Sequence, residues 1–167
     1  GTVQGTTPHH RTVVLRAADR EQRRLAFHTD RRSQKVDHLR ANKRIAWHGW
    51  NAETREQLRL HGTATLHVDD EVADEMWTGQ PPSSLDVYVR PEGPGTPIDA
   101  PADGRPASVQ TDDLSHEDVA EGRRHFAVVR TVIDRIDWLH LHPDGHYRAQ
   151  FEFDADASVF TGTWVVP

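Results

Sequence analysis

Seven consecutive residues, Thr29-Asp30-Arg31-Arg32-Ser33-Gln34-Lys35, bring three cations and two hydroxyls to one point of the chain. Val36 and Leu39 follow Ser33 at helical spacing, so the cluster stands at a helix start capped by Ser33 or Asp30. Free backbone N–H groups, the positive end of the helix dipole and the side-chain cations converge there, which is the chemistry of a phosphate site. A solvated basic helix cap is the alternative that this segment alone leaves open.

Other reactive side chains are less organised. Of twelve histidines, His140, His142 and His146 flank one hairpin, yet no carboxylate or cysteine pattern completes a metal site, and none is expected. Asp69-Asp70 and Asp112-Asp113 suit helix caps and loops, with no partner for acid–base work. The chain has no cysteine, which removes disulfides, thiolate nucleophiles and Cys-ligated metals, so redox chemistry would have to come from a bound cofactor. The formal charge of −6 argues against nucleic-acid binding, and no apolar run approaches the ~18 residues of a membrane span. Gly1 marks a processed or altered start, so the first few residues are left out of the fold reading. No secretory or transit signal is visible and a cytoplasmic location is expected.

The elements that must position the cluster follow from periodicity. At 167 residues, 35% hydrophobic and 28% charged, the chain reads as one domain over 1–167. Val13-Val14-Leu15 and Leu25 to Phe27 predict two opening strands, Ser33 to Asn42 a helix, and Ile45 to Trp47 a further strand before the polar turn Asn51 to Thr54. From Gln57 to Val68, Leu58, Leu60, Ala64, Leu66 and Val68 alternate with polar residues, which predicts a long strand with one apolar face. Asp69-Asp70 caps a helix carrying Val72, Ala73, Met76 and Trp77, ended by Pro81-Pro82. Five of the ten prolines fall between Pro91 and Pro106, so about 91–113 reads as a long loop, a lid or a mobile excursion. A short helix over Ser115 to Arg124 and strands at Phe126–Leu141, Tyr147–Phe153 and Phe160–Val166 complete the chain. Six or seven strands joined mainly as hairpins predict a mainly β protein, an antiparallel barrel with short helices. The five tryptophans are assigned to core or interface.

Three ordered segments carry a resemblance: Arg11-Thr12-Val13-Val14-Leu15-Arg16, then Phe27 to Lys35, then Arg55-Glu56-Gln57-Leu58-Arg59-Leu60-His61-Gly62. In this order and spacing the chain resembles the pyridoxamine 5'-phosphate oxidase family of FMN-binding split barrels over Arg11 to Trp77. Thr-Asp-x-Arg-Ser-x-Lys followed by Thr-Arg-Glu-Gln looks closest to the oxidase-related branch. The resemblance implies an antiparallel Greek-key split β-barrel with FMN at a homodimer interface. Its phosphate would be bound by Arg11, Ser33 and Lys35, and its isoalloxazine ring would lie along Val13, Val14, Leu15 and Arg16. Thr12, His28, Thr29, Arg32, Gln34, Gln57 and Gln150 complete the implied cofactor set.

Departures from the pattern shape the functional expectation. Gln34 stands where the oxidase has a second phosphate-binding arginine, and Arg31 or Arg32 is expected to compensate. Of the positions matching the oxidase's substrate-phosphate cluster, Arg16, Met76, Gln80 and Ser84, only Arg16 and Ser84 keep suitable chemistry. The C-terminal Arg-x-His-x-Arg element is met by His146-Tyr147-Arg148-Ala149-Gln150, which retains one cation. The expectation is an FMN-dependent oxidoreductase whose small-molecule substrate is oriented by Arg16, Ser84 and Arg148. The alternatives are a genuine pyridoxamine or pyridoxine 5'-phosphate oxidase, a non-catalytic flavin-binding protein, and deazaflavin or haem relatives of the same barrel.

Overall fold

A single strand of fifteen residues, β7 (Phe126–His140), organises the large sheet in the computed structural model, which describes residues 1–111 and 113–167. Asp112 lies outside the described residues. Phe-Ala-Val-Val-Arg-Thr-Val-Ile opens β7 with β-branched and aromatic side chains that suit a pleated surface buried on both faces. One edge pairs with β6 (Glu56–His67) from Glu56 opposite His140 to His67 opposite Val128. The other edge is divided. Its first half takes β4 (Arg24–Asp30) and its second half takes β8 (Tyr147–Asp154). All these pairs are antiparallel, and the order runs β3 (Leu15–Asp19), β4, β7, β6, β5 (Arg44–Asn51), with β9 (Val159–Val165) on β8.

β6 and β7 are out of simple register at one place. His61 faces Arg135 and Gly62 faces Ile133, leaving Asp134 as an extra residue. A Cβ on Gly62 would stand 2.2 Å from the Val132 carbonyl oxygen, so the close approach of the strands requires glycine there. The displaced Asp134 carboxylate takes both Arg44 guanidinium nitrogens.

Both faces of β4 are buried. Ala26 joins Trp77, Leu85, Tyr88, Val119, Phe126 and Val128, while Phe27 joins Leu39, Ile45, Ala64 and Val129. The first cluster is covered by α2 (Glu71–Thr78), whose start is capped by Asp70 accepting from the Ala73 N–H, and by α3 (His116–Val119). The second is closed by α1 (Gln34–Ala41).

Several expectations need correction. The first strand of the large sheet does not cover Val13 and Val14; its pairing begins at Leu15 opposite Phe27, and Ala17 then pairs with Ala26, which leaves Arg16 as a bulge. The omitted N-terminus forms a hairpin, β1 (Thr2–Gln4) with β2 (Thr7–His9), set on α1 through a 3.0 Å hydrogen bond between Thr2 Oγ1 and His38 Nδ1. Ser115 to Arg124 divides into the α-turn of α3 and a 3₁₀ stretch, Ala120–His125. The apolar face of β6 is not covered along its whole length: Leu58 is exposed, as are Trp50 on β5 and Trp164 on β9.

Candidate functional site

The bulge in β3 decides where the site lies. Because Arg16 is left out of the ladder, its side chain is released to line a cavity of about 530 Å³ with Arg11, Thr12, Val13, Val14, His28, Thr29, Lys35 and Ser84. These residues come from the segment before β3, the end of β4, the start of α1 and the turn after Pro81. A second cavity, of about 420 Å³, shares Arg11, Thr12, Val13 and Lys35 and is floored by Phe27, Ile45, Trp47 and His48.

The cradle between the two cavities is built locally. Asp30 ends β4, and the chain turns so that the Ser33 N–H reaches the Asp30 carbonyl at 3.1 Å and Ser33 Oγ donates to the same oxygen at 2.7 Å. This places the Lys35 ammonium 2.8 Å from Thr29 Oγ1 and 3.0 Å from Ser33 Oγ. Lys35 therefore rests on two hydroxyls and makes no carboxylate pair among the described residues. Burial, and then the nearby Arg11, hold its ammonium below the ordinary lysine value, with Asp30 opposing. Arg11 and Arg16 have no ion pair among the described residues. An excess of positive charge without its own counterion fits a phosphate.

Two groups of the cavity wall, His28 and Tyr88, are shifted chiefly by burial. Burial, then Arg16, lower the His28 pKa to about 4, so its ring is neutral at physiological pH. Its Nε2 is buried without a partner, and its ring stands edge-on to Phe126 at 4.9 Å. Tyr88, also in the cavity wall, is raised to about 12, chiefly by burial.

Other expected site residues go elsewhere. Arg31 binds Asp69, and Arg32 binds Asp30 and the carbonyls of Arg90 and Pro91, and neither lines either cavity. Ser33 lies buried beneath the cradle, whereas Gln34 is exposed and lines neither cavity. Leu15 is 52% exposed. Gln57 reaches the second cavity only through His48, whose Nε2 lies 3.1 Å from its Oε1. Met76 packs against the core, while Ser84 lines the first cavity with Arg16. Arg148 and Gln150 do not join them: both bind the buried Asp137 carboxylate at 2.8 and 2.9 Å, together with Arg59. Arg148 first, then Gln150 and Arg59, hold Asp137 far below the usual carboxylate range despite its burial.

The sequence reading missed Ser83, Val87 and Tyr88 in the wall, and Trp47 and His48 in the second cavity. Pro81-Pro82 announces a turn, but short 3₁₀ turns have no period that would reveal their inward residues.

Residues 1–68 match the family model described as pyridoxamine 5'-phosphate oxidase, FMN-binding domain. No curated protein matches the chain. Among solved structures, a pyridoxamine 5'-phosphate oxidase-related, FMN binding protein from Nostoc punctiforme is 22% identical with a TM-score of 0.75, covering 99% of this chain and 84% of its own. PhzG from Burkholderia lata, solved in complex with tetrahydrophenazine-1-carboxylic acid, is 18% identical with a TM-score of 0.70, covering 99% and 79%. A protein related to general stress protein 26 from Clostridium acetobutylicum is 11% identical with a TM-score of 0.56, covering 93% and 82%. These structural likenesses establish the antiparallel split-barrel fold.

Proposed function

We propose that this chain, whose residues 1–68 match the pyridoxamine 5'-phosphate oxidase FMN-binding domain and whose fold is that of the split barrels, is an FMN-dependent oxidoreductase of that family acting on a small anionic molecule. The observation that carries this reading is the cavity in which Arg11, Arg16 and Lys35 converge without a carboxylate partner among the described residues. Arg11, Lys35 and Thr29 would hold the phosphate, with Ser33 beneath them supporting the Lys35 ammonium, and Val13, Val14 and Leu15 would border the ring. When bound, FMN supplies a two-electron acceptor whose reoxidation passes the electrons to oxygen or another acceptor.

The protein's own contribution is placement and exclusion of water. Arg16, aimed by the bulge, binds the substrate's anionic group, and Ser84 offers it a hydroxyl. His28 stays neutral beside Arg16 and therefore leaves the pocket's charge to the arginine. Val87 and Tyr88 close the apolar side of the cavity.

A homodimer completes this reading. Leu58, Trp50 and Trp164 expose apolar surface on β6, β5 and β9, and Val14 and Leu15 do so beside the cavity. Pairing of two copies over such a face would allow Arg148 and Gln150 of a second copy to approach a cavity that they do not line in their own chain.

Flavin content tests the cofactor assignment: purified protein should absorb near roughly 375 and 450 nm, the signature of bound flavin. Arg11→Ala with Lys35→Ala should remove that absorbance, while Arg16→Ala should keep the flavin and slow its reduction by an anionic substrate. Full flavin retention in the double variant would overturn the phosphate assignment.

A further inference from the structure

The proline-rich segment after Arg90 is fastened at two points, each on an element that also carries residues of the site. At its start, Arg32 donates to the Pro91 carbonyl at 2.8 Å and to that of Arg90 at 3.1 Å, while its guanidinium also holds Asp30 at 2.7 Å. The segment is thereby tied to the turn that forms the phosphate cradle. Further along, Arg105 binds Asp103 at 2.8 Å through one nitrogen and the Asp86 carboxylate through another.

Asp86 is the informative partner. It is only 5% exposed and begins the 3₁₀ turn Asp86–Tyr88, one residue beyond Ser84 across the buried Leu85 and next to Val87 and Tyr88 of the cavity wall. Arg105 is the one cation that binds it among the described residues. A carboxylate so far removed from water is stabilised by its cation; without it, the charge is driven toward water, and an outward turn of Asp86 carries the 3₁₀ turn with it. The wall is also backed by the His125 ring, whose Nδ1 lies 2.8 Å from the Tyr88 carbonyl oxygen, and by Gly122, where a Cβ would come within 3.0 Å of Tyr88. The backing fixes Tyr88 from behind, whereas the Asp86 side is held by the ion pair.

We infer that Arg105 is a positioning residue: through Asp86 it clamps the Ser83–Tyr88 wall, making the proline-rich segment a strap tied to that wall in place of a mobile lid. The clamp itself is a property of the folded chain. Its consequence for substrate rests on the FMN-dependent reading above.

Hydrogen exchange and flavin accessibility separate these two statements. In flavin-free protein, Arg105→Ala and Asp86→Asn should each speed amide exchange over 83–89 about tenfold, while β7 amides at Val129–Ile133 keep wild-type protection as the control for folding. Arg105→Lys keeps the charge but not the planar fork that spans Asp86 and Asp103, so its exchange should fall between that of wild type and that of Arg105→Ala. In flavin-loaded protein, acrylamide should quench the flavin emission of Arg105→Ala at least threefold more effectively than that of wild type, with FMN affinity changed less than threefold. Wall exchange within twofold of wild type in both Arg105→Ala and Asp86→Asn would overturn the clamp. A wild-type chain that takes up no FMN would overturn the functional reading, and the exchange result would still decide the clamp.

Discussion

Replacing Lys35 by alanine should have opposite effects on the empty and the flavin-loaded protein. In flavin-free protein the ammonium, which rests on two hydroxyls, is partly desolvated and faces Arg11, and burial first and Arg11 second put its folded pKa below the unfolded one. For a base this shift means that the charged form is a cost to folding. The cost is fully present below the folded pKa and disappears as pH rises from that value to the unfolded one. Removing the ammonium at neutral pH should therefore leave the Tm of flavin-free protein unchanged or raise it. With FMN bound, the same nitrogen meets a phosphate, and a hydrogen bond to a charged group contributes about 1.5–3 kcal/mol. At about 1.4 kcal/mol per decade, Lys35→Ala should raise the FMN Kd by about 10- to 150-fold. Titrating flavin-free protein with FMN, followed by flavin emission, measures the second effect, and thermal unfolding without FMN measures the first. The Kd difference should shrink with added salt, because part of the attraction is screened. An FMN Kd within threefold of wild type would refute the cradle as the phosphate site, whatever happens to Tm.

Three other perturbations probe separate links. His28, with its folded pKa near 4 against 6.5 unfolded, makes stability fall as pH drops through that window, because the unfolded chain takes up the proton first. Arg16→Gln should raise the His28 midpoint, read from its ring proton by NMR; an unmoved midpoint would place Arg16 away from His28. Gly62→Ala forces a Cβ to within 2.2 Å of the Val132 carbonyl, so the strands must part, at a cost of about 2 kcal/mol or more in denaturant unfolding. Asp137→Ala strips the shared acceptor from Arg148, Gln150 and Arg59 and should lower stability by about 1–3 kcal/mol, less than the ~3–5 kcal/mol of a fully buried broken pair because both arginines keep some water. Since Asp137 is held well below its unfolded pKa, its contribution is present at neutral pH and lost on acidification past the usual carboxylate range; equal acid sensitivity of variant and wild type would contradict this.

What the sequence made legible is what is local in the chain. Thr29, Ser33 and Lys35 meet because one turn and the first turn of a helix bring them together, so their spacing carries the geometry. The helices after Ser33 and Asp70 were readable for the same reason. Arg16 is different. Its place in the cavity depends on the pairing of Leu15 with Phe27 and Ala17 with Ala26, a slip between strands that no single-strand pattern encodes. Arg31 and Arg32 show the converse: their types and positions suit an anion, but Asp69, Asp30 and the strap carbonyls occupy them, and only the folded chain supplies those partners. Periodicity likewise identified the apolar face of β6 without indicating that the chain leaves Leu58 uncovered. The cradle is thus a property of one segment, whereas the pocket beside it is a property of the strand register that aims Arg16 and of the turn that brings Ser84 and Tyr88 opposite. Substitutions in the cradle should consequently act on FMN affinity, and substitutions that alter the β3–β4 register or the Asp86 turn should act on what the flavin can reach.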